Sequence, residues 1–194
     1  IASAGVKRSM DVLMYSAGGS AAGLSGGEGK RAAAGPAVHK HINQLIIQLD
    51  KLPDICALIQ SRSTDFNAVN VATAWRILLT KTGRSHALRN DAAVKTAVEL
   101  LGQATLCCIS DFGPRQCSNT LHAIAKSSYI LDEQVLGALV VRAEAKALEF
   151  NSQNIANTLW ALATMGRAPP ESLMDALVAR AEAVSAEFNP QGIA

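Results

Sequence analysis

The sequence predicts an all-α fold, a right-handed α-solenoid of stacked helical hairpins with a period of 38 residues, and three observations predict it. Residues 150–166 read Phe150-Asn-Ser-Gln-Asn-Ile-Ala-Asn-Thr-Leu-Trp-Ala-Leu-Ala-Thr-Met-Gly166; a fainter copy opens at Phe112 and the start of another at Phe188, so the same spacing occurs twice. The second halves recur at the same offset, residues 141–150 falling on residues 179–188. Apolar residues follow helical spacing, and no alternating run of the strand type is found. A repeat of this size is a unit that cannot bury its apolar face alone and must stack on its neighbours.

Taken in order, residues 1–36 read as a low-complexity extension, with a short apolar segment at 10–15 and then a run rich in Gly, Ala and Ser. That composition does not repay the entropy of ordering, so an ordered state requires a partner from outside the domain. Residues 37–65 are expected to cap the solenoid: Ile42, Leu45, Ile46 and Leu49 keep helical spacing, Pro53-Asp54 marks a break, and Ile55, Leu58 and Ile59 resume the face. Residues 66–111 form a degenerate repeat 1, residues 112–149 repeat 2, residues 150–187 repeat 3, and residues 188–194 begin a further one. Phe66 and Phe112 are 46 residues apart, so eight extra residues are expected between Thr82 and Asn90. Since the chain opens on Ile1 and stops inside the pattern, a fragment of a longer protein is expected.

Each repeat reads as a shorter first helix and a longer second one. In repeat 3, Asn151 or Ser152 caps the first helix, Ile155, Leu159, Leu162 and Ala163 form its buried stripe, and Gly166 ends it. Pro169-Pro170-Glu171 opens the second helix, whose stripe is Leu173, Leu177, Val178, Ala181 and Val184. Val135, Leu136, Leu139, Val140, Ala143 and Ala147 take that role in repeat 2. The Phe between units reads as a wedge, and Trp75 and Trp160 as core.

Composition excludes several classes. A net charge of +2 does not by itself announce a nucleic-acid binder, so the argument depends on where the charges sit. Cys56, Cys107, Cys108 and Cys117 lack the paired spacing of a zinc site and are expected as reduced thiols. His39 and His41 are a weak metal signal, and no metal or cofactor is expected. No stretch is taken to approach the roughly 20 apolar residues of a membrane span, and no membrane partner is expected. Paired carboxylates, a Ser-His-Asp set and a phosphate-cradling loop are missing, so the chain is not expected to be an enzyme.

The charges sort by helix. First-helix segments carry cations and no acid: Arg76, Lys81 and Arg84 in residues 66–84, Arg115 and Lys126 in residues 112–126, Arg167 in residues 150–167. The second-helix segments 85–111, 127–149 and 168–187 sum to −1, −2 and −3. Stacking would put these on opposite faces, and the positive one suits phosphate. At about 100° per residue, the side opposite the buried stripe is expected to carry Asn154, Asn157, Ala161 and Thr164 in repeat 3. Repeat 2 would present Gln116, Asn119, Ala123 and Lys126 there, and repeat 1 Asn70, Thr73, Ile77 and Thr80. Amides donate and accept at once, as reading an unpaired base requires. Arg115 and Gln153 flank the stripe. Asn119 and Asn157 fit a structural role in the stack equally well.

Residues 150–166 followed by Pro169-Pro170-Glu171 resemble the octotricopeptide repeat, and the segment from Phe66 resembles the degenerate unit that often opens such domains. The resemblance covers about residues 40–194 and is most specific at 150–194. It implies a helical-hairpin solenoid binding single-stranded RNA in mitochondria or chloroplasts. Members act in transcript maturation, stability and translation, and some are similar to proteins built into mitochondrial ribosomes; related FAST-kinase-like proteins often end in a RAP domain. The expectation is a mitochondrial ribosomal component that holds ribosomal RNA beside other proteins of a large ribonucleoprotein. The alternatives are an organellar messenger-RNA factor, in the chloroplast or mitochondrion, and a protein-interaction scaffold.

Overall fold

The computed structural model describes residues 35–185, which are helical with no strand among them. The expected extension up to residue 34, and Phe188 with the start of a further repeat, lie outside the described residues. The helices are α1 (Pro36–Gln48), α2 (Leu52–Arg62), α3 (Ala68–Thr82), α4 (His86–Asn90), α5 (Ala92–Cys108), α6 (Pro114–Ser127), α7 (Glu133–Lys146), α8 (Ser152–Thr164) and α9 (Glu171–Ala183).

Helix starts follow from local chemistry. Asn67 and Asn151 each accept a hydrogen bond from the backbone N–H three residues on, while the Asn70 and Asn154 side chains accept from the Asn67 and Asn151 N–H groups. These reciprocal boxes satisfy donors that the first turn leaves orphaned, worth about 1 kcal/mol each. Pro114 opens α6, where its missing N–H costs nothing. Pro170, by contrast, is the N-cap of α9 rather than its first residue. Gly83 and Gly166 end α3 and the turn after α8 at φ values of 56° and 67°, a region that only glycine enters freely.

The helices pack in two sets. α1 lies on α3, α3 on α6 and α6 on α8, while α2 lies on α5, α5 on α7 and α7 on α9. The sets meet where α3 packs on α2 and α5, α6 on α7, and α8 on α9. Short 3-10 turns, Ser63–Asp65, Ile109–Asp111 and Ala147–Glu149, each lead into a buried phenylalanine: Phe66, Phe112 and Phe150. The carbonyls of Phe112 and Phe150 accept hydrogen bonds from Arg142 Nε (2.8 Å) and Arg180 Nε (2.6 Å), which fastens α7 to the residue ahead of α6 and α9 to the residue ahead of α8. The segment between Thr82 and Asn90 holds α4, and its Arg89 reaches the Ser128 carbonyl at 2.8 Å.

Four expectations need correction. Val178 is exposed and Leu159 only half-buried, because each stripe is narrower than the spacing suggests. Ala163 is exposed as well. Residues Ala92–Asp111, α5 with its 3-10 extension, are long and apolar enough to cross a membrane by length and composition. In this fold the helix packs on α2, α3 and α7 and buries Val94, Ala97, Val98, Leu101 and Thr105.

Candidate nucleic-acid interface

α6 is flanked by α3 and α8 and backed by α7, so only a narrow strip of it meets solvent. The strip lies 3, 7, 10 and 14 residues after the phenylalanine that opens the unit. It reads Val69, Thr73, Arg76 and Thr80 on α3, Arg115, Asn119, His122 and Lys126 on α6, and Gln153, Asn157, Trp160 and Thr164 on α8. None of these side chains is buried and none is acidic.

This geometry corrects the sequence-based stripe by about one residue. Asn70 and Asn154, expected outside, are buried at 1% and 8% exposure. Their amides point at the previous helix of the same set, α1 and α6: Asn70 Nδ2 donates to the His39 carbonyl and Asn154 Nδ2 to Ser118 Oγ, each at 2.9 Å. Gln116, half-buried, accepts from the Gly113 N–H at 3.2 Å. Ala123 and Ala161 are buried and Ile77 half-buried. The reason is lateral packing: the flank that faces the earlier helix of the same set hides the position next to the outward one.

The remaining expected residues divide by what holds them. Arg76, Thr80, Arg84, Arg115, Lys126, Gln153 and Thr164 are exposed, and among the described residues none of the four cations in this group makes an ion pair. Lys81 lies 3.4 Å from Asp50, and Arg167 pairs with Glu133, so both are partly neutralised by acids at the edge of the row. Thr73 spends its hydroxyl on the Val69 carbonyl at 2.8 Å. Asn119 and Asn157 are half-buried.

Sequence reasoning missed His122 and Trp160. Trp160 is 44% exposed and its ring lies on His122, centroid to centroid 4.8 Å with 39° between planes. Burial, and secondarily the Lys126 charge, hold the His122 pKa below its ordinary value of 6.5. The signal was present in the register: Trp160 lies ten residues after Phe150, whereas Trp75 lies nine after Phe66.

Among the described residues, no group of three His, Cys, Asp or Glu side chains is placed to hold an ion. Burial pushes the Cys117 thiol up to about 12 and the Cys108 thiol to about 11, which keeps both protonated. Compared with known proteins, the chain matches no family model, and no curated protein matches it.

Proposed function

We propose that the chain is a non-enzymatic RNA-binding α-solenoid of stacked hairpins, with α3, α6 and α8 presenting the binding face. The observation that carries this reading is the solvent strip itself. It holds three cations free of ion pairs among the described residues, Arg76, Arg115 and Lys126, interleaved with amides and hydroxyls and interrupted by no acid. Cations attract phosphate; half-buried Asn119 lies between Arg115 and Lys126, and Asn157 takes the matching position on α8, where the edge of an unpaired base would fall. The recurring 3-10 turn, phenylalanine and capping box support a repeating unit. With the octotricopeptide resemblance, the reading extends to an organelle, and to ribosomal RNA of a mitochondrial ribosome as the bound RNA.

A second reading, a protein-binding scaffold, is favoured by the exposure of Val141 (66%) and Val178 (49%) on the opposite set of helices. Salt separates the two. Single-stranded oligo(U) of about 12 nucleotides should bind with log affinity falling by about 0.7 per phosphate contact against log salt, hence a slope near −2 for three cations. Affinity indifferent to salt, or no binding, would contradict the RNA reading.

A further inference from the structure

Position ten of each unit places Arg76, His122 and Trp160 in one register on adjacent helices α3, α6 and α8. All three are flat side chains, and none is buried. Among them Trp160 has the largest π-face. Its indole is nearly half exposed and accepts no covering side chain other than His122 among the described ring contacts. The contrast with Trp75 is chemical as well as geometric. Trp75 donates its indole N–H to Thr105 Oγ1 at 2.9 Å inside the core, whereas Trp160 Nε1 has no hydrogen-bond partner among the described residues. A large apolar ring left in water costs solvation without contributing to packing, and this ring already has a second aromatic tilted against it at 4.8 Å between centroids. Lys126 lies one helical turn beyond His122 on the same strip, and Arg115 two turns before it, so phosphate-seeking charge flanks the rings on both sides.

We propose that Trp160 is a base-stacking platform: an unpaired RNA base lies on the exposed face of its indole, His122 supports the opposite face, and the strand runs across α8, α6 and α3 along the row of position-ten side chains. This rests on the RNA reading above and deepens it by assigning a sequence-tolerant stacking contact, since every base has a π-face. His122 stays uncharged near neutral pH, so it supports the indole without adding charge beneath the base. Arg76 continues the row, because a guanidinium plane also stacks on bases.

The test uses the 194-residue chain, fluorescein-labelled oligo(A) and oligo(U) of about 12 nucleotides, and the variants Trp160→Phe, Trp160→Leu and Arg115→Ala/Lys126→Ala. Circular dichroism of each variant checks the fold. Stacking predicts that Trp160→Leu weakens oligo(A) binding about tenfold with an unchanged salt slope, that Trp160→Phe retains most of the affinity, and that oligo(A) loses more than oligo(U). Tryptophan emission should be quenched by oligo(A) in the parent chain and much less so in Trp160→Phe. Equal affinity of parent, Phe and Leu forms with a steep salt slope would overturn the stacking proposal and leave the phosphate-binding face standing. Equal losses in Phe and Leu would also overturn it, since aromaticity would then be irrelevant. Failure of every form to bind either oligonucleotide would overturn the RNA reading itself, and the platform with it.

Discussion

Trp75 on α3 and Trp160 on α8 occupy matching stretches of two units, yet one is the largest fully buried side chain and the other is 44% exposed. The cause is a single residue of register. Counted from Phe66 and Phe150, the two indoles are one position apart, and one position turns a helical side chain by about 100°. At position nine the ring enters the space between helix sets and finds Thr105; at position ten it meets solvent and finds His122. Residue type therefore says little about role in a repeat, and the distance from the phenylalanine that opens the unit says much more.

The comparison breaks if the two tryptophans cost the same to remove. Trp75→Ala should lose about 3–5 kcal/mol, mainly through the cavity and secondarily through the lost hydrogen bond to Thr105, whose hydroxyl keeps its bond to the Leu101 carbonyl, while Trp160→Ala should stay within about 1 kcal/mol. Urea unfolding of the two variants measures both. A smaller effect sharpens the same rule on adjacent residues of α8. Asn154→Ala removes a capping contact and the bond to Ser118 and should cost about 1–2 kcal/mol, whereas Gln153→Ala, one residue earlier and exposed, should change stability by less than about 0.5 kcal/mol. If Asn154→Ala were harmless to the fold, the buried placement would be wrong.

Smaller still in stability terms is Arg115→Ala/Lys126→Ala. It should leave unfolding within about 0.5 kcal/mol and make the salt slope of RNA binding shallower by about 0.7 per cation removed. The smallest effect is the pH response of His122. Its folded pKa lies below the usual 6.5, so the neutral ring is the favoured form in the fold. Its contribution is fully present above that value and is lost as pH falls through the lowered folded pKa. Unfolding midpoints measured from pH 7 down to pH 5 should fall slightly more in the parent than in His122→Gln.

The helical class was legible because apolar spacing and the recurrent phenylalanines are local signals, and Phe112 and Phe150 are fully buried. Asn67, Asn70, Asn151 and Asn154 also carried a readable signal. Their spacing of three residues is that of a capping box, which competes with any outward role. Less was legible at the interface, because the exposed strip depends on how much of each helix its neighbours cover. α6 is covered on both flanks, and nothing in its own sequence says so. Arg142 and Arg180 illustrate the same limit. Their recurrence is visible in the sequence, but their partners, the Phe112 and Phe150 carbonyls, lie 30 residues earlier in the chain and meet them only after packing. Both guanidinium groups keep their charge but are tied to backbone carbonyls, so they serve the packing of the helices.

The most direct test of the central claim is ultraviolet crosslinking of the protein to RNA in intact organelles, with mass spectrometry of the crosslinked peptides and sequencing of the bound RNA. The account predicts crosslinks in peptides of α6 and α8, with Trp160 and His122 among the modified residues, and fragments of ribosomal RNA attached. Crosslinks confined to α5, α7 and α9, or RNA recovery no higher than from an uncrosslinked sample, would contradict it.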